Sequence, residues 1–332
     1  MDSVSQLALG AAVGVAVMGR RTRPWKAAAF GALAGTLPDL DVFIDWGDPI
    51  ANMVLHRAET HALFWLTLFA LPFGATVAWL AREWTQWRRW TLAMWAALVT
   101  HPLLDVMTVY GTQLALPFSN HPFGVGSVFI IDPLYTVPLL GGLAVTLACG
   151  LRRANALGLA LSCAYLGWGM LAQQHVRETA IASLAAQGIA AERLLVTPTA
   201  FNTVLWRVVA MGPETYHEGY RSLFDRGRTM TFERFERGAE LEPALAETTA
   251  VRRVAAFSKG FYKLQSRGDA VVLTDLRMGQ EPHYTFAFVV ARRHSPPVPV
   301  EPTVQVGSRP PLDLALSWLW RRALGEPLPP PR

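Results

Sequence analysis

The sequence predicts a mainly α protein: a polytopic helical membrane domain of about six segments, one of them short, followed by a small α+β extracytoplasmic domain. Three observations carry that expectation. The chain of 332 residues is 52% hydrophobic and only 17% charged, whereas soluble domains average about 25% charge. The charge is also uneven, with 19 charged residues in positions 1–175 and 36 in positions 176–332. Finally, the long uncharged runs gather in the first part. The expected boundaries are a membrane domain over 1–176, a soluble domain over 177–295, and a proline-rich linker with an amphipathic tail over 296–332.

Composition also excludes classes. The apolar fraction is too high for disorder. The two cysteines, Cys149 and Cys163, lie in apolar runs, so no disulfide framework is expected. The net charge of +5 is not gathered into a basic stripe interleaved with aromatics, so nucleic acid is not firmly implied as a partner. The bilayer is.

A membrane helix needs roughly 17–25 apolar residues. Uncharged runs occupy 3–19, 27–38, 62–81, 90–104, 133–151 and 154–176. Three suffice alone (62–81, 133–151 and 154–176). The run at 3–19 is borderline, 90–104 suffices if it continues to about residue 110, and 27–38 is the short one. Segment 3–19 has Asp2 rather than a basic stretch before it, which reads as a retained helix rather than a secretory signal. Lys and Arg sit in alternate loops: Arg20, Arg21, Arg23 and Lys26, then Arg82, Arg88 and Arg89, then Arg152 and Arg153. The intervening loops, 39–61 and 106–132, contain Arg57 alone. The positive-inside bias therefore places those loops, and everything after about 176, outside the cytoplasm.

Three polar clusters interrupt the apolar pattern on that outer side: Gly35-Thr36-Leu37-Pro38-Asp39-Leu40-Asp41, His56-Arg57-Ala58-Glu59-Thr60-His61, and Thr100-His101-Pro102-Leu103-Leu104-Asp105. Ionisable groups at membrane depth cost a few kcal/mol each unless paired or bound, so their joint occurrence needs a reason. Asp39 and Asp41, at i and i+2, point the same way from an extended or turning backbone. His101 and Asp105, at i and i+4, share a helix face. Thr60 is placed to cap the next helix, with His61 in its first turn. Taken singly, each aspartate reads as a helix cap and each histidine as hydrogen-bonded packing. Together, Asp39, Asp41, His56, His61, His101 and Asp105 make a mixed nitrogen and oxygen donor set suited to Zn²⁺ or Mn²⁺, in one or more ions. Arg57 is the candidate substrate-binding residue, as a phosphate clamp, or else the partner of Glu59 or of a motif carboxylate.

These three blocks resemble the LexA-regulated, membrane-bound metal-dependent hydrolases. So do Tyr110-Gly111-Thr112-Gln113, Phe129-Ile130-Ile131-Asp132-Pro133-Leu134-Tyr135 and Val196-Thr197-Pro198-Thr199. A more distant likeness reaches the zinc-dependent phospholipase C and single-strand nuclease superfamily. The resemblance implies an inner-membrane hydrolase with a divalent metal, zinc before manganese, that activates water at a periplasmic site against an ester or phosphoester, with a lipid-linked substrate among the candidates. Two positions depart from the family pattern: Ser5-Gln6 stands where a Thr-His pair is usual, and Ala62 where Ser is usual. The first removes an imidazole, leaving Asp2 as the substitute.

Elsewhere, Asp132-Pro133 has the pattern of a helix cap followed by Pro at the first helical position. His121 and the His175/Glu178 pair are weaker ligand candidates. In the soluble half, 203–211, 214–222, 270–276 and 283–291 read as strands and 177–188 and 240–258 as helical, with 312–324 amphipathic and suited to a membrane surface. The alternative to a hydrolase is a non-catalytic membrane protein that binds metal as a sensor or carrier, or a degenerate family member.

Overall fold

The computed structural model describes every residue except Arg228. The first of its two compact units comprises Met1–Ile44, Leu55–Met170 and Ala200–Asn202, and the second comprises Asp45–Val54, Leu171–Thr199 and Thr203–Arg332.

The first unit is helical. Its elements are α1 (Ser3–Met18), α2 (Pro24–Thr36), α4 (Leu63–Leu80), α5 (Trp87–Val106) and α6 (Pro133–Cys149), with α3 (Pro49–Leu55) falling largely in the second unit. Helix α7 (Arg152–Ala186) continues from the first unit into the second. Capping is local. The Asp2 carboxylate accepts the Val4 and Ser5 amides at the start of α1, and Asp132 accepts the Leu134 amide ahead of Pro133, as the sequence pattern implies. Small residues fix the packing. Gly10 and Gly14 on α1 face Ala27, Gly31 and Gly35 on α2, and a Cβ at Gly31 would run into the Gly10 carbonyl while one at Gly35 would run into that of Gln6. Spacing small residues by four lets two apolar helices approach backbone to backbone. Against this pair packs a core that includes Met18, Trp90, Met94, Leu98 and Leu139. Basic residues tie the far end of the unit: Lys26 bonds Glu83, Arg89 the Val17 carbonyl, and Arg152 the Thr22 carbonyl.

Two expectations need correction. Among the described residues three helices, not about six, are long and apolar enough to cross a membrane: Ser3–Arg21, Leu63–Leu80 and Arg152–Ala186. The reason is physical. Helix α2 has 13 residues and α6 has 17, and α5 carries Arg88, Arg89 and Asp105 within its 20. Nor is the chain mainly α with a small mixed domain appended, since 51% of it is helical and 17% lies in strands of three sheets.

Those strands build the second unit. β1 (Arg193–Pro198), β2 (Leu205–Met211), β3 (Thr215–Ser222) and β4 (Glu233–Glu236) form an antiparallel meander in that order. After the short α8 (Glu242–Leu245) and α9 (Thr249–Phe257) come β5 (Tyr262–Arg267), β6 (Ala270–Asp275), β7 (Gly279–Gln280), β8 (His283–Tyr284), β9 (Ala287–Arg292) and β10 (Val298–Gln305). The second sheet runs β10-β9-β6-β5, and β7 pairs with β8. The stretch at 296–311, expected as a linker, thus contributes a strand. It lies at the sheet edge with its register broken between Pro299 and Val304, where proline is tolerated. The buried Arg207 of β2 bonds Glu218 of β3, the Leu276 carbonyl and the Tyr284 hydroxyl, which joins the first sheet to the segment around β7 and β8. Helix α10 (Leu312–Ala323) closes the chain, burying Trp318 and Leu319 and exposing Leu312, Leu316 and Trp320.

The α1–α2 contact can be tested. Gly31→Val in detergent-solubilised protein should lower stability by about 2–3 kcal/mol or more through overpacking. Gly141→Ala, whose added Cβ meets nothing within 4 Å, should leave the melting temperature unchanged.

Candidate metal centre

Three stretches of the first unit meet at one end of its helices. Helix α2 ends at Thr36 and the chain tightens into a 3-10 turn, Pro38–Phe43, carrying Asp39 and Asp41. A second 3-10 turn, Glu59–His61, precedes α4 and carries His61. His101 and Asp105 stand one turn apart near the end of α5, both fully buried.

Asp39, His61, His101 and Asp105 place one ligand atom each within 4.8 Å of one another. The two imidazole Nε2 atoms are 3.1 Å apart. Asp39 Oδ1 lies 3.4 Å from the His61 Nε2 and 3.3 Å from that of His101. Asp105 Oδ2 lies 3.4 and 3.3 Å from the same two atoms. Five of the six separations among the four atoms are thus 3.1–3.4 Å, and the sixth, Asp39 to Asp105, falls within 4.8 Å. Four donors bound at about 2.0–2.1 Å around a tetrahedral ion stand about 3.3–3.4 Å apart. Buried groups held this close need a neutralising partner, and the group could hold a divalent metal ion.

Proton bookkeeping leads to the same place. His101 Nδ1 is 2.6 Å from the Gly35 carbonyl, an acceptor only, so Nδ1 carries a hydrogen and, in the neutral ring, Nε2 presents a lone pair. The Thr60 hydroxyl donates to Asp41 Oδ2 at 2.7 Å and lies 2.9 Å from His61 Nδ1, which therefore donates to Thr60 and, in the neutral ring, leaves its own Nε2 as a lone pair. Asp105 divides its two oxygens. Oδ1 receives Arg57 Nη2 at 3.3 Å, Gln6 Nε2 at 3.1 Å and the Met1 amine. Oδ2 faces the imidazoles and is buried without a hydrogen-bond donor. Outer partners of this kind fix ligand orientation in metal sites.

The other residues singled out in the sequence take supporting places. Asp41 is not one of the four, and its Oδ2 lies behind His61, 3.6 Å from Nδ1. The sequence placed it on the same side as Asp39, but a 3-10 turn advances about 120° per residue, so positions i and i+2 diverge. It meets His56 Nδ1 at 2.8 Å, the Arg57 amide at 3.1 Å and Thr60. Burial by itself would raise the Asp41 carboxyl, but the hydrogen bonds from His56 and Thr60 outweigh it and hold the group below the usual carboxylate range. His56 is the outer partner of that pair, about a quarter exposed. Arg57, with a left-handed backbone at φ 65°, is buried. Its guanidinium bonds Asp105 and Thr108 and lies 4.8 Å over the Tyr110 ring. Of the roles open to it from sequence, pairing with a motif carboxylate is the one this geometry displays. Thr60 does not cap α4; Ala62 occupies the cap position without a side-chain bond, and Thr60 bridges Asp41 to His61 instead. Asp2 is the cap of α1 and is not among the four. His121, at the surface against Phe123, and His175, exposed on α7, are not among them either.

Sequence reasoning missed the Gly35 carbonyl, the Met1 amine and the bonding role of Gln6. Gln6 is fully buried, donates to the His101 carbonyl and to Asp105, and leaves Oε1 without a partner. Its place where an imidazole is usual was the available signal. The side chain does reach the site, but as a hydrogen-bonding neighbour.

Elemental analysis checks the grouping. Wild-type protein should contain about one divalent ion per chain, His101→Ala none, and Asp39→Asn a reduced amount. Thr60→Ala keeps all four groups but releases His61, so affinity should fall roughly 10–100-fold. Equal metal content in wild type and His101→Ala would refute the grouping.

Comparison with known proteins places this chain in context. It is 28% identical over 160 residues to YfhP, an uncharacterised protein of Bacillus subtilis (strain 168), over 45% of this chain and 47% of that protein. The matched part thus spans about half of the relative's length. No solved structure matches. Residues 1–176, the part that holds the whole metal centre, match the family described as YdjM inner membrane protein, and the chain belongs to that family.

Proposed function

We propose that this protein is a metal-dependent hydrolase of the bacterial inner membrane, acting on an ester or phosphoester. The observation that carries the reading is the four-group cluster, in which three members are held deep and one is held at the rim. The His61, His101 and Asp105 side chains are fully buried, whereas the Asp39 side chain is 20% exposed. Catalytic zinc sites keep three firm protein ligands and one exchangeable position, whereas structural sites are closed by four. Asp39 is the member placed to yield a position to substrate or to take a proton from attacking water.

Each buried member has a task. Gly35 and Thr60 keep both imidazoles in the tautomer that offers Nε2. Arg57 and Gln6 load one oxygen of Asp105, turn the other inward and offset part of the site's negative charge. Arg57 acts on Asp105 and not as a substrate clamp. A bound ion, zinc by donor type and spacing, would supply the lowered pKa of a water and the stabilisation of charge on the attacked centre.

The position in the membrane follows from charge. Lys26, Arg89 and Arg152 tie one end of the first unit, and the metal centre is built at the opposite helix ends. The positive-inside bias assigns the basic end to the cytoplasm. The chain is then multi-pass, the centre opens on the periplasmic side, and the segment after about residue 176 is extracytoplasmic. A second reading, a closed non-catalytic ion in a sensor, draws on the same count of four ligands. The exposure of Asp39 favours the enzyme.

Purified protein in detergent should hydrolyse at least one of bis(p-nitrophenyl) phosphate, p-nitrophenyl phosphate and p-nitrophenyl butyrate. Activity should vanish after chelation and return with Zn²⁺ or Mn²⁺, and His61→Ala should be inactive at any metal concentration. A bound ion with no turnover of any of the three would favour the sensor, and turnover indifferent to chelation would overturn the metal mechanism.

A further inference from the structure

We propose that a cleft beside the metal centre receives the acyl chain of a membrane lipid, so that the substrate is an amphiphile whose polar end lies at the four groups. The inference rests on the hydrolytic reading above and names its substrate class. The cleft, about 240 Å³, is bounded by Leu37, Pro38, Thr60, Trp65, Phe69 and Leu98, with Glu59 also in its lining.

Its inner wall is joined to the metal centre residue by residue. Pro38 immediately precedes Asp39. Thr60 immediately precedes His61 and lies 2.9 Å from its Nδ1. Leu98 stands three residues before His101 on α5, on the same helix face. The cleft lining is therefore adjacent in the chain to two of the four groups and one helical turn from a third.

The outer wall belongs to the lipid side. Trp65 and Phe69, one turn apart on α4, are 43% and 47% exposed. Helix α4 is among the three apolar enough to cross a membrane. The cleft is thus continuous with the surface α4 presents to hydrocarbon, and an acyl chain can slide in sideways without crossing water. The lining is almost wholly apolar and offers no cation. It gives a water-soluble phosphoester nothing to bind and leaves recognition of a polar headgroup to the metal centre. These features single out a chain of methylenes as the occupant.

The test uses the full chain in nanodiscs of phosphatidylethanolamine and phosphatidylglycerol doped with a phospholipid bearing a diazirine near the acyl terminus. Cross-links mapped by mass spectrometry should concentrate on Leu37, Trp65 and Phe69, at least fivefold above Leu147, an exposed position on α6. Leu37→Trp, which fills the cleft, should reduce that labelling fivefold or more and leave Leu147 unchanged. Phe69→Ala, at an exposed position, serves as a second variant should the first fold poorly, and should shift the labelling pattern within the cleft. His101→Ala should retain the labelling, since the cleft does not depend on metal. Labelling no denser than at Leu147, or indifferent to both cleft variants, would overturn the proposal. So would equal metal-dependent turnover of short soluble esters and long-chain lipids, which would leave the hydrolytic reading standing. Cleft labelling with no metal-dependent turnover of any substrate would overturn the substrate assignment by removing the reading it rests on.

Discussion

Two imidazole nitrogens 3.1 Å apart, flanked by one buried and one partly exposed carboxylate oxygen, are the constraint around which the first unit is organised. With neutral imidazoles such a group is expensive when empty, because its lone pairs and carboxylates face one another with no proton or cation between them. The surroundings are arranged to keep it that way. A backbone carbonyl and a threonine hydroxyl take the other imidazole hydrogens, and Arg57 and Gln6 take the other oxygen of Asp105. A site prepared to this degree is suited to a cation, and the preparation is what distinguishes it from four polar residues that happen to meet.

The helix packing delivers that preparation. Close approach of α1 and α2 along their small-residue stripes puts Gln6 and Gly35 beside one another, and both reach α5, Gln6 at the His101 carbonyl and Asp105, Gly35 at His101 Nδ1. The stability of the helix pair and the orientation of the ligands are therefore linked. A change that separates α1 from α2 disturbs the metal centre without touching any of its four members. The scaffold is also lopsided, with most of its basic side chains at one end and its imidazoles and most of its acids at the other.

Much of this was legible in the sequence, for definite reasons. His101 and Asp105 share a face because a helix repeats every 3.6 residues, and that spacing is written in the chain. The joint presence of Asp39, His61, His101 and Asp105 in apolar surroundings was readable as a cost requiring an explanation. The segments at 62–81 and 154–176 held as apolar helices because each combines length with an absence of charge. The count of about six failed where only one of those conditions was met: α2 is apolar but short, and α5 is long but carries charge at both ends. The second unit was underestimated because several strands went unread, and two of them, β5 and β10, do not alternate cleanly. One ends in exposed polar residues and the other contains Pro299 and Pro302, which an edge position tolerates.

The sequence by itself determined which residue types were present, which helices could exist and which side of the chain carried the polar clusters, because these depend on composition and on short-range periodicity. The tertiary structure decided the division of labour among the clusters. A 3-10 turn rotates Asp41 away from Asp39, a left-handed residue at 57 turns its guanidinium to Asp105, and a main-chain carbonyl at Gly35 selects the tautomer of His101. Backbone conformation at single residues and contacts across some 40 to 100 positions have no local signature. They emerge only when helices distant in sequence are packed against one another.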